Sequence, residues 1–162
     1  VVRPKITETT ALGAAYLGLN PWVLAASPGY LKAHGRPRKP QDLGRHEALI
    51  YSTVQGDERW LLSGTDGRQI SVSVRGRLRS NNLSMLLAAA RQGFGIAALP
   101  RYVAHRSLTE GALTSVLDDW ALPSQEVHAV FPSPRMVPAK VRLLITWLQS
   151  QFGPDWWARP ND

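Results

Sequence analysis

Ser80, Asn81 and Asn82 stand between an alternating apolar run and a helical stripe, and residues of these types at a helix start do one of two things. Their side-chain oxygens cap the helix by accepting from its first backbone N–H groups, or those N–H groups are left facing an anion. In open α/β sheets ligands sit in the crevice beyond the carboxyl ends of the strands, so the junction reads equally well as an ordinary cap and as one wall of a binding cleft. Other chemistries find less support. The histidines His34, His46, His105 and His128 form no H-x-x-x-H pair and have no acidic cluster at ligand spacing, which predicts structural or surface roles and no metal site. A serine hydrolase needs Gly-x-Ser-x-Gly after a strand, and Leu62-Ser63-Gly64 does not supply it. Gly93-Phe94-Gly95 precedes a strand, where a dinucleotide fingerprint must precede a helix. Asp118 and Asp119 are adjacent and would point opposite ways in a strand, so they read as a solvated turn. With no cysteine, a disulfide framework, a zinc–thiolate site and a cysteine nucleophile are all excluded, which is compatible with a reducing cytosol. Neither an enzyme nor a cofactor is expected.

The elements that must position the serine and asparagines are legible from periodicity. Ile70, Val72, Val74 and Leu78 alternate with Ser71, Ser73, Arg75, Arg77 and Arg79, which predicts one strand with an apolar face and the arginines in water. Leu83, Leu86, Leu87 and Ala90 then recur as one helical stripe, Gly93 suits a left-handed stop, and Ile96 to Pro100 is a buried strand. Strand, crossover helix and strand in this order make a right-handed parallel unit. Upstream, Thr7 to Gly18 is weakly patterned and reads as mostly irregular. Trp22 to Ala26 is a strand, and Ser27-Pro28 caps and begins a helix that ends near His34 at Gly35. Pro40 to Gly44 makes a turn, Leu49 to Tyr51 a strand, and Gly64-Thr65-Asp66-Gly67 joins two antiparallel strands as a hairpin. Downstream come a short helix over Arg101 to Ser107, short strands at Leu113 to Leu117 and Glu126 to Phe131, and a last helix from Pro138. In that helix Val141, Leu144, Ile145, Leu148 and Phe152 form an apolar stripe.

A composition of 44% apolar and 19% charged residues in 162 is that of a globular chain with a sizeable core. No apolar run is long enough to span a membrane, and none is expected to. The formal charge of +7 raises the question of nucleic acid, but the basic residues are scattered, with no Lys/Arg-rich run, zinc finger or RNP-like motif. Spread charge of this kind reads as solvated surface.

The stretch RLRSNNLSMLLAAARQGFGIAALPRYV resembles the effector-binding domain of LysR-type transcriptional regulators. WVLAASPGYLKAHGRPRKPQDLGRHEALIY is similar to that family's strand, Ser-Pro helix start, Tyr-Leu, Gly-x-Pro, Pro-x-Asp-Leu and His, and TEGALTSVLDDWALPSQEVHAVFPSPRMVPAKVRLLITWL to its ending. The resemblance runs in order from about Val1 to Phe152. It implies an α/β fold of the type 2 periplasmic-binding-protein kind, two Rossmann-like lobes joined by two crossover strands. The crossings would be Trp22 to Ala26 and Val127 to Phe131. The second lobe would then be 27–126, the first lobe would retain 1–26 and 127–153, and 154–162 would be a loose tail. VVRPKI has no capping or turn signal ahead of it, so the resemblance also implies a first lobe lacking its opening portion and a DNA-binding helix-turn-helix outside this chain.

By the same resemblance the function is ligand sensing: a small metabolite binds between the lobes and shifts the geometry of a homodimeric or tetrameric regulator in the cytoplasm. DNA would be met only through the absent helix-turn-helix. The effector pocket would draw on Ser52, Thr53 and Val54 as well as Ser80, Asn81 and Asn82, with Arg3 as the partner of a carboxylate, so a small organic anion is the expected ligand. Arg3 reads equally well as a surface arginine. The alternative with the same architecture is a type 2 solute-binding protein for a small anion.

Overall fold

Trp22–Ala26 is buried at every position, which a strand achieves only inside a sheet covered on both faces. The computed structural model describes residues 12–52, 58–132, 137–153 and 155–158. In chain order these form β1 (Leu12–Asn20), β2 (Trp22–Ala26), α1 (Pro28–His34), a 3-10 turn (Pro40–Arg45), β3 (Glu47–Tyr51), β4 (Arg59–Gly64) and β5 (Gln69–Ser73). They continue with β6 (Arg75–Ser80), α2 (Leu83–Arg91), β7 (Ile96–Pro100), α3 (Arg101–Thr109), β8 (Thr114–Val116) and β9 (Trp120–Ala121). β10 (Gln125–Pro132), α4 (Ala139–Gln151) and a second 3-10 turn (Trp156–Ala158) complete them. Two units result, Asn20–Gln125 and a smaller one within 1–19 and 126–162.

The larger unit is built on a five-stranded sheet in the order β6-β3-β7-β2-β8. β3 runs parallel to both β6 and β7, so β6, α2 and β7 make the parallel crossover unit that the sequence predicts, with β3 lying between its two strands. Alternation sorts the side chains onto two faces. Val23, Ala25, Leu49, Ala97 and Leu99 meet Leu86 and Ala90 of α2 and Ala104 of α3. Trp22, Leu24, Ala26, Ile50, Ile96 and Ala98 face the other way, onto Tyr30, Leu43 and the small sheet β5-β4-β9. Burying a side chain such as Leu86 contributes roughly 1.5–3 kcal/mol, and it is fully buried. The middle of the sheet is unusually small in side chain: Leu24 faces Ala98 and Ala25 faces Ala97 across β2 and β7, and all three alanines are fully buried.

Local signals hold the helices in place. Ser27 accepts from the Tyr30 amide at 3.2 Å, Pro28 follows as the first helical residue, and Gly35 leaves α1 with φ 82°. A Cβ at Gly95 would overlap the Glu47 carbonyl, so only glycine lets β7 start against β3.

The structure corrects three expectations. The run Ile70 to Leu78 is two strands in different sheets, broken at Val74, whose amide donates to Glu58 O at 2.8 Å. Val72 and Val74 join the core beneath the small sheet, whereas Leu78 packs on the α2 face, so the apolar alternation does not mark one face. Thr7 to Gly18 reads as mostly irregular, but its described part, from Leu12, lies in the strand Leu12–Asn20 paired with β10. β2 is a central strand of the larger unit, so the first boundary lies between Leu19 and Asn20, not after Ala26.

In the smaller unit β1 and β10 pair, with the Tyr16 ring edge-on to His128 at 5.7 Å. No residue of α4 is buried; Leu144 of the expected stripe is exposed, and Val141, Ile145, Leu148 and Phe152 are half-buried. Trp156, in the stretch expected to be a loose tail, donates from Nε1 to Leu19 O at 2.8 Å and lies 4.9 Å from the Phe152 ring.

Candidate functional site

Because β3 and β6 are parallel, their carboxyl ends finish side by side, with Tyr51 opposite Ser80. The Ser52 amide donates to Ser80 O at 3.1 Å, which brings the turn after β3 against the start of α2. Ser80 Oγ accepts from the Asn82 amide at 3.0 Å. Asn82 Oδ1 accepts from the amides of Ser84 at 2.9 Å and Met85 at 3.2 Å. Asn82 is thus the helix cap, and its oxygen is spent on the backbone. Ser52 and Asn81 are exposed, and among the described residues the Asn81 side chain makes no hydrogen bond. The structure therefore brings Ser52, Ser80, Asn81 and Asn82 to one edge. Arg3, Thr53 and Val54 lie outside the described residues.

Sequence reasoning missed a second group at the same end of the sheet. β2 runs antiparallel to β7 and pairs Trp22 with Pro100, so β2 begins where β3 and β7 finish. Trp22 and Tyr51 lie ring to ring at 5.8 Å. Gln125 Oε1 accepts from Trp22 Nε1 at 3.2 Å and from Asn20 Nδ2 at 3.4 Å. Asn20 Oδ1 is buried with no partner among the described residues, a polar atom that burial alone does not favour. Asn20 and Gln125 are 105 residues apart, and the only local signal for either is a polar residue at the end of an apolar run.

Three of the histidines have defined structural partners, among them His34, whose Nδ1 lies 3.1 Å from Tyr30 O. His46 is buried, and its Nδ1 lies 3.3 Å from the Tyr30 hydroxyl, which also accepts from the Glu47 amide at 3.0 Å. Burial pushes the Tyr30 phenol above its ordinary pKa and the His46 imidazole below its own, the latter helped by the nearby His34. His128 Nε2 is 2.8 Å from Glu126. Among the described residues no three His, Asp or Glu side chains group as metal ligands.

The basic strand is locally partnered. Arg75 lies 3.7 Å from Glu47, Arg79 3.2 Å from Glu58, and Arg77 sits over the Phe94 ring at 5.1 Å. Exposed pairs of this kind contribute little stability, roughly 0–1 kcal/mol. No helix among the described residues is long and apolar enough to cross a membrane.

Residues 1–153 match the family of the LysR substrate binding domain. An uncharacterized HTH-type transcriptional regulator of Haemophilus influenzae is 32% identical over 140 residues, covering 86% of this chain and 48% of its own length. The probable HTH-type transcriptional regulator LtrA of Klebsiella pneumoniae is 31% identical, covering 89% and 48%. The chain spans about half the length of these curated relatives. Among solved structures, the full-length Vibrio cholerae virulence activator AphB, a member of the LTTR protein family, superposes with TM-score 0.74 at 26% identity, covering 90% of this chain and 50% of that one. The α/β architecture is accordingly that of LysR regulatory domains, of the type 2 periplasmic-binding-protein kind. With its sequence matched over nearly its whole length and its fold shared with such a regulator, the chain belongs to the LysR substrate-binding domain family, and the relatives named above are HTH-type transcriptional regulators.

Proposed function

We propose that the chain senses a small organic anion at the edge formed by Ser52, Ser80, Asn81 and Asn82, on behalf of a transcriptional regulator. Arg3, Thr53 and Val54, which the family resemblance also implies, are left to mutagenesis, since they lie outside the described residues. One observation carries the reading: two parallel strands end together at the start of a nine-residue helix, tied by a 3.1 Å hydrogen bond from the Ser52 amide to Ser80 O. Helix starts at strand carboxyl ends favour negative charge through the helix dipole, which remains here although Asn82 already takes up the amides of Ser84 and Met85. DNA contact would belong to a helix-turn-helix outside these residues. The regulator would work as a homo-oligomer whose arrangements the ligand distinguishes by affinity.

Calorimetric titration of the chain with a panel of small carboxylic acids, and with neutral amides of the same shapes, tests this reading. Binding is expected for an acid and not for its amide, with Asn81→Asp weakening it about tenfold or more by like-charge repulsion. Tight binding of a neutral compound with failure of every acid overturns the electrostatic assignment, and an unchanged affinity in Asn81→Asp removes this edge from the site.

A further inference from the structure

A groove of about 620 Å³ opens at the other end of the five-stranded sheet, lined by Ser27, Tyr30, His34, Arg91, Gln92 and Gly93 among others. β2 runs antiparallel to β7, so α1 begins at the end of the sheet where β7 starts, and Arg91 to Gly93 close α2 at that same end. Ser52 and Asn82 lie at the opposite end, beyond the carboxyl ends of β3 and β6. The groove is therefore separate from the edge proposed for the effector.

Its side chains are one-sided in charge, set against the last carbonyls of α2, which ends at the same place. The lining supplies the Arg91 guanidinium, the His34 imidazole and the Gln92 amide, and it contains no carboxylate. Glu110, the acid whose charge reaches Arg91, is already held by Arg106 Nε at 2.7 Å. His34 Nδ1 lies 3.1 Å from Tyr30 O, a carbonyl that only accepts, so Nδ1 carries the hydrogen and the ring is held in place as part of the wall. The floor is fixed. The His34 ring stacks on Tyr30 at 4.3 Å, and the buried Tyr30 hydroxyl is held by the Glu47 amide and faces His46. Gly93, with φ 78°, brings the end of α2 so close that an added Cβ would sit 3.4 Å from Ser27 Oγ, whereas a Cβ at Gly29 would meet nothing within 4 Å. The volume lies in the range of small-molecule sites, roughly 300–1,000 Å³.

We propose that this groove is a second binding site, taking a small organic carboxylate on Arg91 and Gln92 beside the stacked His34 and Tyr30 rings. Arg91 supplies the fork that matches a carboxylate, and the stacked imidazole and phenol supply a rigid apolar wall. The site is independent of the effector reading, because each is read at its own amides.

The test is amide chemical-shift titration of the ¹⁵N-labelled 162-residue chain with succinate and with citrate at constant ionic strength, sodium chloride serving as the control. Two exposed substitutions accompany it. Arg91→Gln removes the fork, and Gly29→Glu places a carboxylate in the open space beside it, where glutamate forms helix more readily than glycine. Saturable shifts at Ser27 to His34 and Arg91 to Gly93 are expected, with the midpoint raised about tenfold or more in both variants. Shifts that fail to saturate, a midpoint unchanged in either variant, or saturable shifts confined to Ser52 and Ser80 to Asn82 overturn the proposal.

Discussion

Substitutions at Asn82 separate its role as a helix cap from the proposed attraction of an anion to the same helix start. Its Oδ1 accepts from two amides, those of Ser84 at 2.9 Å and Met85 at 3.2 Å. Alanine leaves both donors to water and costs about 1 kcal/mol, within a range of roughly 0.5–2, whereas glycine costs only a few tenths. For a chain of this size about 1 kcal/mol lowers Tm by roughly 2–4 °C. Aspartate keeps an acceptor in the same place and adds a charge that the helix start favours by roughly 0.3–1 kcal/mol. Asn82→Asp is therefore expected to match or exceed the parent in Tm and urea midpoint, with Asn82→Ala clearly below both. Anion binding should follow a different order: alanine near the parent, and aspartate weaker by about tenfold or more, which is about 1.4 kcal/mol of repulsion. Aspartate as destabilising as alanine would refute the cap account. Aspartate binding an acid as tightly as the parent would refute the electrostatic reading of this helix start.

Burial holds the His46 imidazole below its ordinary pKa of about 6.5, so as pH falls the unfolded chain takes up the proton first. Its contribution is full above that value and declines as pH drops below it toward the folded pKa; urea midpoints should fall over this window, and His46→Gln should flatten the slope. Leu86→Ala empties a fully buried position between α2 and the sheet and should cost about 2–5 kcal/mol in chemical denaturation; a loss under about 1 kcal/mol would mean that the helix collapses onto the gap. Leu143, Leu144 and Trp147 of α4 are 72%, 54% and 58% exposed, so sedimentation across a dilution series should show self-association that Leu144→Lys weakens. A monomer at all micromolar concentrations would refute it.

The elements that were legible carry their signals within a few residues. Ser27-Pro28 with Gly35 bounds α1, and Asn82 with the stripe Leu83, Leu86 and Ala90 announces α2, because caps and periodicity are local. β1 was not legible: Leu12–Asn20 is rich in glycine and alanine, and what makes it a strand is β10, more than a hundred residues away. The break at Val74 was hidden for a different reason, since the apolar alternation runs on through the point where the chain changes sheets. The candidate site divides the same way. Ser80 to Asn82 could be found from helix-start chemistry, whereas Asn20, Trp22 and Gln125 meet only because the chain returns to the same place after 105 residues.

The alanines at the centre of β2 and β7 give α2 a mechanical character. With Ala25 and Ala97 beneath it and its own Ala90 fully buried, the helix packs closely on the sheet at these positions, while Leu86 fills the space beside Leu49 and Leu99. Interiors packed this way transmit strain and do not absorb it. On that ground a displacement at Asn82 is passed along α2 and into the sheet beneath it.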